Sequence, residues 1–131
     1  KKLVTGNTYS YKIRTYTVSG GKTHKSSFSA AASAKVVPKR VKSVSVTNLQ
    51  GNSAVIRWKR DKGVTGYQVY KKSNIQLKYS RVRKTKKNTV VKFTDGKAVS
   101  GYTYYYKVRS YKVVYGKKVY GKYSKVVSLS K

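Results

Sequence analysis

Gly101-Tyr-Thr-Tyr-Tyr-Tyr-Lys-Val-Arg-Ser-Tyr111 is the stretch of this chain that decides its fold. Tyr104, Tyr106 and Val108 form one row within it, and the positions between them, Tyr105 and Lys107, belong to a more polar row. A period of two is typical of an antiparallel β-strand with one buried face and one exposed face. The stretch therefore predicts a long strand whose Tyr104 row lies in a hydrophobic core.

The same stretch occurs twice. Residues 2–35 align with residues 97–130 at a constant offset of 95 and without a gap, so that Gly6-Asn-Thr-Tyr-Ser-Tyr-Lys-Ile-Arg-Thr-Tyr16 falls on the stretch above. A repeat of this length is a whole domain and not a solenoid unit. We therefore predict two parts: residues 1–37 hold the last strands of a partial copy, and residues 38–131 form a complete domain.

The rest of the chain shows the same period of two in short runs. Ile56 alternates with Trp58 and Tyr67 with Val69, and β-branched and aromatic residues dominate while no amphipathic helix stands out. Turn signals separate the runs every 8–12 residues or so, as in a β-sandwich. The predicted fold class is all-β, with strands A near 41–47, B 54–60, C 66–72, C′ 77–84, E 89–94, F 102–113 and G 119–129.

These residues resemble a fibronectin type III domain, over all of 38–131 and, for strands F and G only, over 1–37. Trp58 matches the core tryptophan of the family's strand B, and Gly66-Tyr-Gln-Val-Tyr70 resembles its strand C. Tyr104 takes the place of the tyrosine corner, whose hydroxyl bonds backbone a few residues upstream. The resemblance implies an immunoglobulin-like sandwich with a structural core of Trp58, Tyr67, Tyr104, Tyr106 and, in the partial copy, Tyr9.

One position departs from the family's pattern. The family usually has a leucine six residues before the corner tyrosine; Leu3 stands there in the partial copy, but Ala98 stands there in the full copy. We therefore expect looser packing at the corner of the full domain. The repeated stretch of sequence is similar to tandem domains of Gram-positive bacterial surface proteins. This resemblance implies an extracellular or cell-surface location.

The charge of the chain is extreme. It carries 32 Lys and Arg residues against 2 Asp and Glu residues, a formal net charge of +30. Both parts share this bias, so it is not a basic tail added to a neutral domain. Such a field attracts any polyanion within roughly 8–10 Å of the surface at moderate salt. Wall polymer, acidic glycan and nucleic acid all remain open as partners.

Catalysis is not expected, because the chain lacks a convergent set of acids, bases and nucleophiles. It has no cysteine, one histidine and two aspartates. His24 is interpreted as a solvated loop residue, Asp61 as an ion-paired turn residue and Asp95 as an Asx-type turn. We predict no catalytic residue, no metal site and no cofactor, and no stretch is apolar enough for a membrane span.

The remaining signal is basic residues interleaved with tyrosine. Lys107 and Arg109 share the outward row of strand F with Tyr105, and the segment Lys78–Lys87 is densely basic. An outer C′–C–F–G face of this kind suits counterion release and stacking on rings. An alternative is a solvated face that only keeps the protein soluble. The predicted polyanion-binding residues are Arg81, Arg83, Lys84, Lys86, Lys87, Lys107 and Arg109.

The partial copy has two explanations. Strands F and G alone make a hairpin, which is marginal in water and leaves residues such as Tyr11 and Ile13 uncovered. Either the chain is part of a tandem array of fibronectin type III repeats, or another subunit supplies the missing strands and copies self-associate into a fibre. The sequence favours complementation slightly, because an unpaired hairpin is rarely well ordered.

Three functions follow as hypotheses. The first is a non-catalytic extracellular structural or adhesion module, in an array or a strand-linked filament, whose basic face meets anionic polymers. The second is an accessory polyanion- or carbohydrate-binding domain of a larger secreted enzyme or wall hydrolase. The third is a secreted nucleic-acid-binding protein, although no RNA- or DNA-reading motif occurs.

Overall fold

The structure is a computed structural model that describes residues 2–131. It divides into two compact units, a smaller one that ends at Val36 and a larger one over Val37–Lys131. The described residues form strands and turns, without a helix. The strands are β1 Thr8–Tyr11, β2 Tyr16–Ser19, β3 Lys22–Lys25, β4 Ala32–Lys35, β5 Ser45–Leu49, β6 Ser53–Arg57, β7 Gly66–Ser73, β8 Ser80–Lys84, β9 Lys92–Asp95, β10 Thr103–Val114, β11 Lys117–Tyr120 and β12 Val127–Ser130.

The larger unit is a sandwich of two antiparallel sheets. One sheet has the order β5-β6-β9, and the other has the order β11-β10-β7-β8 with β12 also paired to β10. Inner rows of both sheets are fully buried, among them Ile56, Val69 and Val108. The predicted all-β sandwich is therefore confirmed, and β10 is its longest strand.

The predicted core residues of the larger unit lie between the sheets. Tyr67 and Tyr106 are fully buried, and Trp58, which directly follows β6, is also buried. The Trp58 and Tyr67 rings meet edge to face with centroids 5.4 Å apart, a geometry that aromatic pairs prefer. Within residues 2–131, the Trp58 Nε1–H has no hydrogen-bond partner.

The tyrosine corner closes the crossover into β10. The Val99 N–H donates to the Tyr104 hydroxyl over 3.0 Å, and the Ala98 N–H donates to the Asn52 carbonyl over 2.9 Å. Ala98 is fully buried. The Lys71 ammonium lies 4.2 Å from the Tyr104 ring centroid.

A buried ion pair joins the two sheets. The Lys71 Nζ lies 2.6 Å from the Asp95 Oδ2, and the Tyr106 hydroxyl donates to the same oxygen over 2.7 Å. The Asx-type turn predicted at Asp95 is also present, because the Lys97 N–H donates to Oδ1 over 3.0 Å. Lys71 turns inward whereas Lys72 lies on the outer side of the sheet, since adjacent strand residues point to opposite faces.

Burial acts most strongly on the pKa of the Asp95 carboxyl, and on its own it would raise that pKa. The hydrogen bonds from Lys71, Tyr106 and the Lys97 N–H together outweigh burial, so the pKa of Asp95 lies below its ordinary value. Burial and the hydrogen bond to Asp95 raise the pKa of the Tyr106 phenol far above its ordinary value. The pair is therefore held as carboxylate and neutral phenol at physiological pH.

Strand G is broken into β11 and β12, where one continuous strand was predicted. The Val108 N–H, which would pair with a backbone carbonyl in an unbroken ladder, donates instead to the Ser124 hydroxyl over 2.9 Å. The Ser124 hydroxyl in turn donates to the Lys125 carbonyl over 2.7 Å. A side chain thus satisfies the backbone at the break, which a period-of-two pattern does not reveal.

The smaller unit repeats β10–β12 of the larger unit bond for bond. β1 pairs with β4 and β2 with β3, with Thr8 opposite Lys35 where the larger unit has Thr103 opposite Ser130. The Val4 N–H donates to the Tyr9 hydroxyl over 3.0 Å, as in the other tyrosine corner. The hairpin conformation is therefore specified locally by the repeated sequence.

The inner row of the smaller unit is exposed. Tyr11 is 55% exposed and Ile13 is 76% exposed, whereas Tyr106 and Val108 at the equivalent positions are 0% exposed. Tyr9, which was expected in the core, is only half-buried. The reason is that β1–β4 form two-stranded sheets, so no second layer of this unit covers that row.

The turn between β2 and β3 and the equivalent turn between β10 and β11 differ in one of their two central residues. Gly20 and Gly21 have φ values of 58° and 72°, and the equivalent pair, Tyr115 and Gly116, has values of 49° and 74°. Two positive φ values fit a type I′ turn, which favours Asn-Gly or Gly-Gly. Tyr115 therefore occupies a left-handed conformation that is strained for its residue type, with its side chain 96% exposed.

We expect acid to destabilise the larger unit through Asp95. Folding lowers the pKa of Asp95, so its stabilisation is complete above the unfolded-state pKa of about 3.9 and is lost as pH falls through the lower folded-state value. Asp95→Asn leaves Lys71 without its partner and should lower the free energy of unfolding at pH 7 by about 3 kcal/mol. Urea unfolding followed by Trp58 fluorescence across the acid range measures both effects.

Asp61→Asn is the matched control. It removes the carboxylate of the second aspartate, which lies in a turn outside the core. It should cost less than about 1 kcal/mol and leave the acid dependence in place. Equal losses in the two variants would contradict the assignment to Asp95.

We expect Tyr115→Asn to stabilise the larger unit by about 0.5–1 kcal/mol, because asparagine tolerates the left-handed conformation that a type I′ turn requires. Tyr115→Ala removes the ring but keeps the unfavourable backbone, so it should show no such gain. Thermal unfolding compares the three proteins, and stabilisation by alanine as large as by asparagine would assign the effect to the ring instead.

Candidate polyanion-binding face

The outward side of the five-stranded sheet is built from tyrosine rings and cations. In β10 the buried residues alternate with Tyr105, Lys107 and Arg109, which are half-buried on the other side. The pairing register places Lys107 opposite Tyr70 and Tyr105 opposite Lys72. We refer to the following residues as the basic–aromatic face: Tyr70, Lys72, Tyr79, Lys84, Tyr105, Lys107, Arg109, Tyr111, Tyr120 and Tyr123.

Lys107 is held between two rings. Its Nζ lies 4.0 Å from the centroid of Tyr79 and 4.0 Å from the centroid of Tyr123. The Lys72 Nζ repeats the arrangement at 5.3 Å from Tyr79 and 5.1 Å from Tyr105. Each contact of this kind contributes about 0.5–1 kcal/mol at an exposed site. The rings thus position the ammonium groups without removing their charge.

Arg109 is the most constrained cation of the face. Its guanidinium carbon lies 4.1 Å from the Tyr120 centroid and 5.0 Å from the Tyr123 centroid. Its Nε donates to the buried Gln68 Oε1 over 2.9 Å, and its Nη2 donates to the Tyr70 hydroxyl over 2.9 Å. Neutral partners therefore fix the guanidinium, which keeps its full positive charge.

Carboxylates do not neutralise this face. Within residues 2–131 the ion pair formed is that of Lys71 with Asp95, and it lies between the sheets. The Asp61 carboxylate accepts from the Gly63 N–H over 2.8 Å, as suits a turn residue, but the described residues show no ion pair for it. The cations of the face consequently repel one another and favour any anion that approaches.

Lys84 shows this repulsion directly. The neighbouring Lys118 ammonium is the main cause that lowers the pKa of Lys84, and partial desolvation and the charges of Arg81 and Lys86 add to it. A bound anion would relieve the repulsion and raise that pKa again. An anion bound beside Lys84 would therefore be accompanied by proton uptake at alkaline pH.

The phenols of the face stay neutral. Burial is the main cause that raises the pKa of Tyr79, Tyr111 and Tyr123, and the neighbouring hydroxyls of Tyr105, Tyr120 and Tyr70 contribute in turn. Neutral phenols keep the face free of negative charge, and the Tyr111 hydroxyl donates to the Thr85 carbonyl over 2.7 Å.

The predicted site residues only partly come together. Lys107, Arg109 and Lys84 belong to the face, and Arg81 stands opposite Tyr70. A register shift between Val69 and Tyr70 places Arg83 opposite Val69, whose side chain is buried. Arg81 and Arg83 are both exposed, and Val82 between them is partly buried and packs against the core. Lys86 and Lys87 lie in the exposed turn after β8.

Sequence reasoning did not place the rings that organise the cations. Tyr79 precedes β8, Tyr123 lies in the break between β11 and β12, and Tyr120 ends β11. Their sequence distance from β10 hides the contacts. One usable signal was the alternation of Lys118 and Tyr120 with the apolar Val119. It shows that the charged and aromatic pattern of β10 continues on the neighbouring strand.

Histidine and acidic residues do not cluster within residues 2–131. This part of the chain contains no group of three or more His, Cys, Asp or Glu residues that could hold a metal ion. His24 was expected in a loop but lies on β3, opposite Thr17, and is exposed. In the same residues no helix is long and apolar enough to span a membrane.

Comparison with known proteins identifies the fold. No protein-family model and no curated protein sequence matches the chain. A two-domain fibronectin type III segment of chicken tenascin matches with a TM-score of 0.61 and 20% identity, over 93% of this chain and 65% of that one. The FN1–FN3 domains of chicken CNTN1 match with a TM-score of 0.59 and 18% identity, over 92% and 40%. A myokine structure matches with a TM-score of 0.57 and 18% identity, over 71% and 96%.

The chain thus spans less than two thirds of the tenascin and CNTN1 structures. At these identities the likeness concerns the fold, which is that of fibronectin type III domains. The fold predicted from the tryptophan, strand C and the tyrosine corner is confirmed.

We expect Arg109→Ala to destabilise the larger unit by about 1–3 kcal/mol, because the buried Gln68 Oε1 loses its charged donor and three rings lose their shared cation. Lys112→Ala, a half-buried cation on the same strand, is the control and should change stability by less than about 0.5 kcal/mol. Chemical unfolding followed by Trp58 fluorescence measures both, and equal effects would contradict the organising role of Arg109.

Proposed function

From the fibronectin type III fold of this chain, we propose that it is a non-catalytic extracellular structural module whose basic–aromatic face binds anionic polymers. The observation that carries the proposal is the placement of Lys107, 4.0 Å from each of two ring centroids and without a carboxylate partner among the described residues. A cation that is held in place yet uncompensated is ready for an external anion.

Counterion release supplies the affinity of such a face. Each phosphate or sulfate that meets a cation displaces a condensed counterion, and the logarithm of the binding constant falls by about 0.7–0.9 per contact for each decade of salt. Lys72, Lys107 and Arg109 already rest against tyrosine rings. Less side-chain entropy is therefore lost when they bind than for cations on mobile stems.

The tyrosine rings supply a second contribution to the binding free energy. Exposed parts of tyrosine side chains stack on bases or on the apolar faces of sugars, and stacking on a base contributes about 1–3 kcal/mol. A face of alternating rings and cations fits an extended polymer in which ring units and anionic groups alternate. Wall polymer, acidic glycan and single-stranded nucleic acid have this composition to different degrees.

The cellular setting is part of the proposal. Fibronectin type III domains are commonly extracellular, and the resemblance of the repeated stretch to tandem bacterial modules supports the surface of a Gram-positive bacterium. There the wall polymer is the anionic partner close at hand. The runner-up function, an accessory polyanion- or carbohydrate-binding domain of a secreted enzyme or wall hydrolase, uses the same face.

A second candidate function is completion of the smaller unit by strands from elsewhere. The exposed Tyr11 and Ile13 stand where the larger unit buries Tyr106 and Val108, so the sheet that fits them is of the β5-β6-β9 type. Such a sheet could come from a neighbouring fibronectin type III repeat or from another subunit that donates its strands.

We expect the paired variant Lys72→Gln with Lys107→Gln to weaken binding to labelled oligo-dT, heparin and polyphosphate at least tenfold in low salt. It should also reduce the slope of log K against log salt by about 2, one for each lost anion contact. Fluorescence anisotropy of the labelled polymers across a salt series measures both. The order of the three affinities then distinguishes base stacking from recognition of sulfate or phosphate.

Arg57→Gln with Lys92→Gln is the matched control, because it removes the same charge from exposed positions on the three-stranded sheet. It should reduce affinity much less and leave the slope nearly unchanged. Equal effects of the two pairs would show that net charge, and not the face, determines binding.

A further inference from the structure

A second basic surface lies outside the basic–aromatic face. Two open cavities, of about 360 Å³ and 280 Å³, share Arg40 and Lys42 in their linings and together make up a basic cleft. The segment before β5 and the loop between β6 and β7 supply its walls. We refer to it as the Arg40 cleft; its smaller cavity is lined by the cations Lys39, Arg40, Lys42, Lys59, Arg60 and Lys62.

The two walls are joined by backbone. The Lys59 N–H donates to the Lys42 carbonyl over 3.0 Å. This hydrogen bond connects the loop after β6 to the segment before β5. Ser43, which lines the larger cavity, has a φ of 51°. A left-handed conformation costs a non-glycine residue of order 1–3 kcal/mol. The cleft thus has a fixed and strained wall.

Arg60 is positioned in advance. Its Nε and Nη2 donate to the Asn88 Oδ1 over 3.1 and 2.9 Å, and the Asn88 Nδ2 donates to the Val64 carbonyl over 2.9 Å. Asparagine is neutral, so the guanidinium keeps its charge. A guanidinium has five N–H donors, and two are used, which leaves three to meet a ligand.

One carboxylate lines the cleft, and it is committed to its own turn. The Asp61 Oδ1 accepts from the Gly63 N–H over 2.8 Å. Six cations therefore face a single, partly occupied carboxylate in the smaller cavity. The electrostatic balance is far from neutral, although the shape is concave, and concave basic sites concentrate field lines on a small anion.

We propose that the Arg40 cleft binds one tetrahedral oxyanion group, a phosphate or a sulfate, independently of the basic–aromatic face. The planar fork of Arg60 suits bidentate contact with such a group, and the surrounding lysines add point charges. The cleft shares no residue with the face, so one chain has two separate anionic contacts. Bridging of two polymer chains follows from this, and that part alone rests on the proposed function of the face.

The binding site is tested by titrating the full ¹⁵N-labelled chain with tripolyphosphate and, separately, with inorganic sulfate. The expected result is saturable shifts of the Lys42, Lys59 and Lys62 amides and of the Arg60 Nε–H. Lys59→Gln with Lys62→Gln should weaken this binding at least fivefold while the remaining spectrum stays unchanged. This pair is preferred to Arg60→Gln, because loss of the Asn88 contact would disturb the loop itself.

Lys72→Gln with Lys107→Gln is the matched control and should leave the cleft shifts intact. Linear, unsaturable shifts spread over all basic residues, or equal weakening by both pairs, would overturn the cleft as a site. Loss of polymer affinity only in the face variant, with no saturable cleft shifts, would keep the proposed function and remove this inference. The reverse pattern would keep the cleft and remove the face.

Bridging has its own measurement. Long-chain polyphosphate mixed with the full chain should give turbidity that either charge-removing pair abolishes, although each variant still binds short polyphosphate through its remaining surface. Turbidity that survives in both variants would show that bridging does not depend on these two surfaces.

Discussion

The alternation of side chains along β10 is the constraint on which the larger unit depends. This strand pairs with β7, β11 and β12, so its two faces determine what lies on both sides of the sheet. Tyr104, Tyr106 and Val108 point into the core, and Lys107 and Arg109 point outward. A shift of one residue would bring the cations into the core and the tyrosine corner out of it. The buried contact of Tyr106 with Asp95 holds the register against that shift.

Much of the fold could be predicted from the sequence, because the period of two and the tyrosine corner are local signals. The break in strand G and the bulge beside Val69 could not, since each depends on a partner distant in sequence. Ser124 replaces a backbone acceptor, and the ion pair of Lys71 with Asp95 joins strands of different sheets. The face was located through β10, but Tyr79, Tyr120 and Tyr123 come from loops and a strand end.

Cation–π contacts take the place that salt bridges have in most sheets. With two acidic residues in the whole chain, surface carboxylates are not available to pair with lysine or arginine. Tyrosine rings hold the cations through their quadrupole and leave the charge exposed. The arrangement keeps neighbouring cations ordered despite their repulsion, and a surface neutralised by carboxylates would lose that attraction for polyanions. The smaller unit uses the same device, with Arg14 4.4 Å from the Phe28 centroid.

The composition of the larger unit also determines how its interactions can be regulated. Between Val37 and Lys131 there is no histidine and no cysteine, and one of the two aspartates is buried in an ion pair. Side chains that ordinarily titrate between pH 5 and 8 or respond to oxidants are thus missing from this stretch. Acidification or a redox change in the surroundings would leave its surface charge nearly constant. A surface of constant charge changes its interactions with ionic strength instead, because salt screens exposed charges.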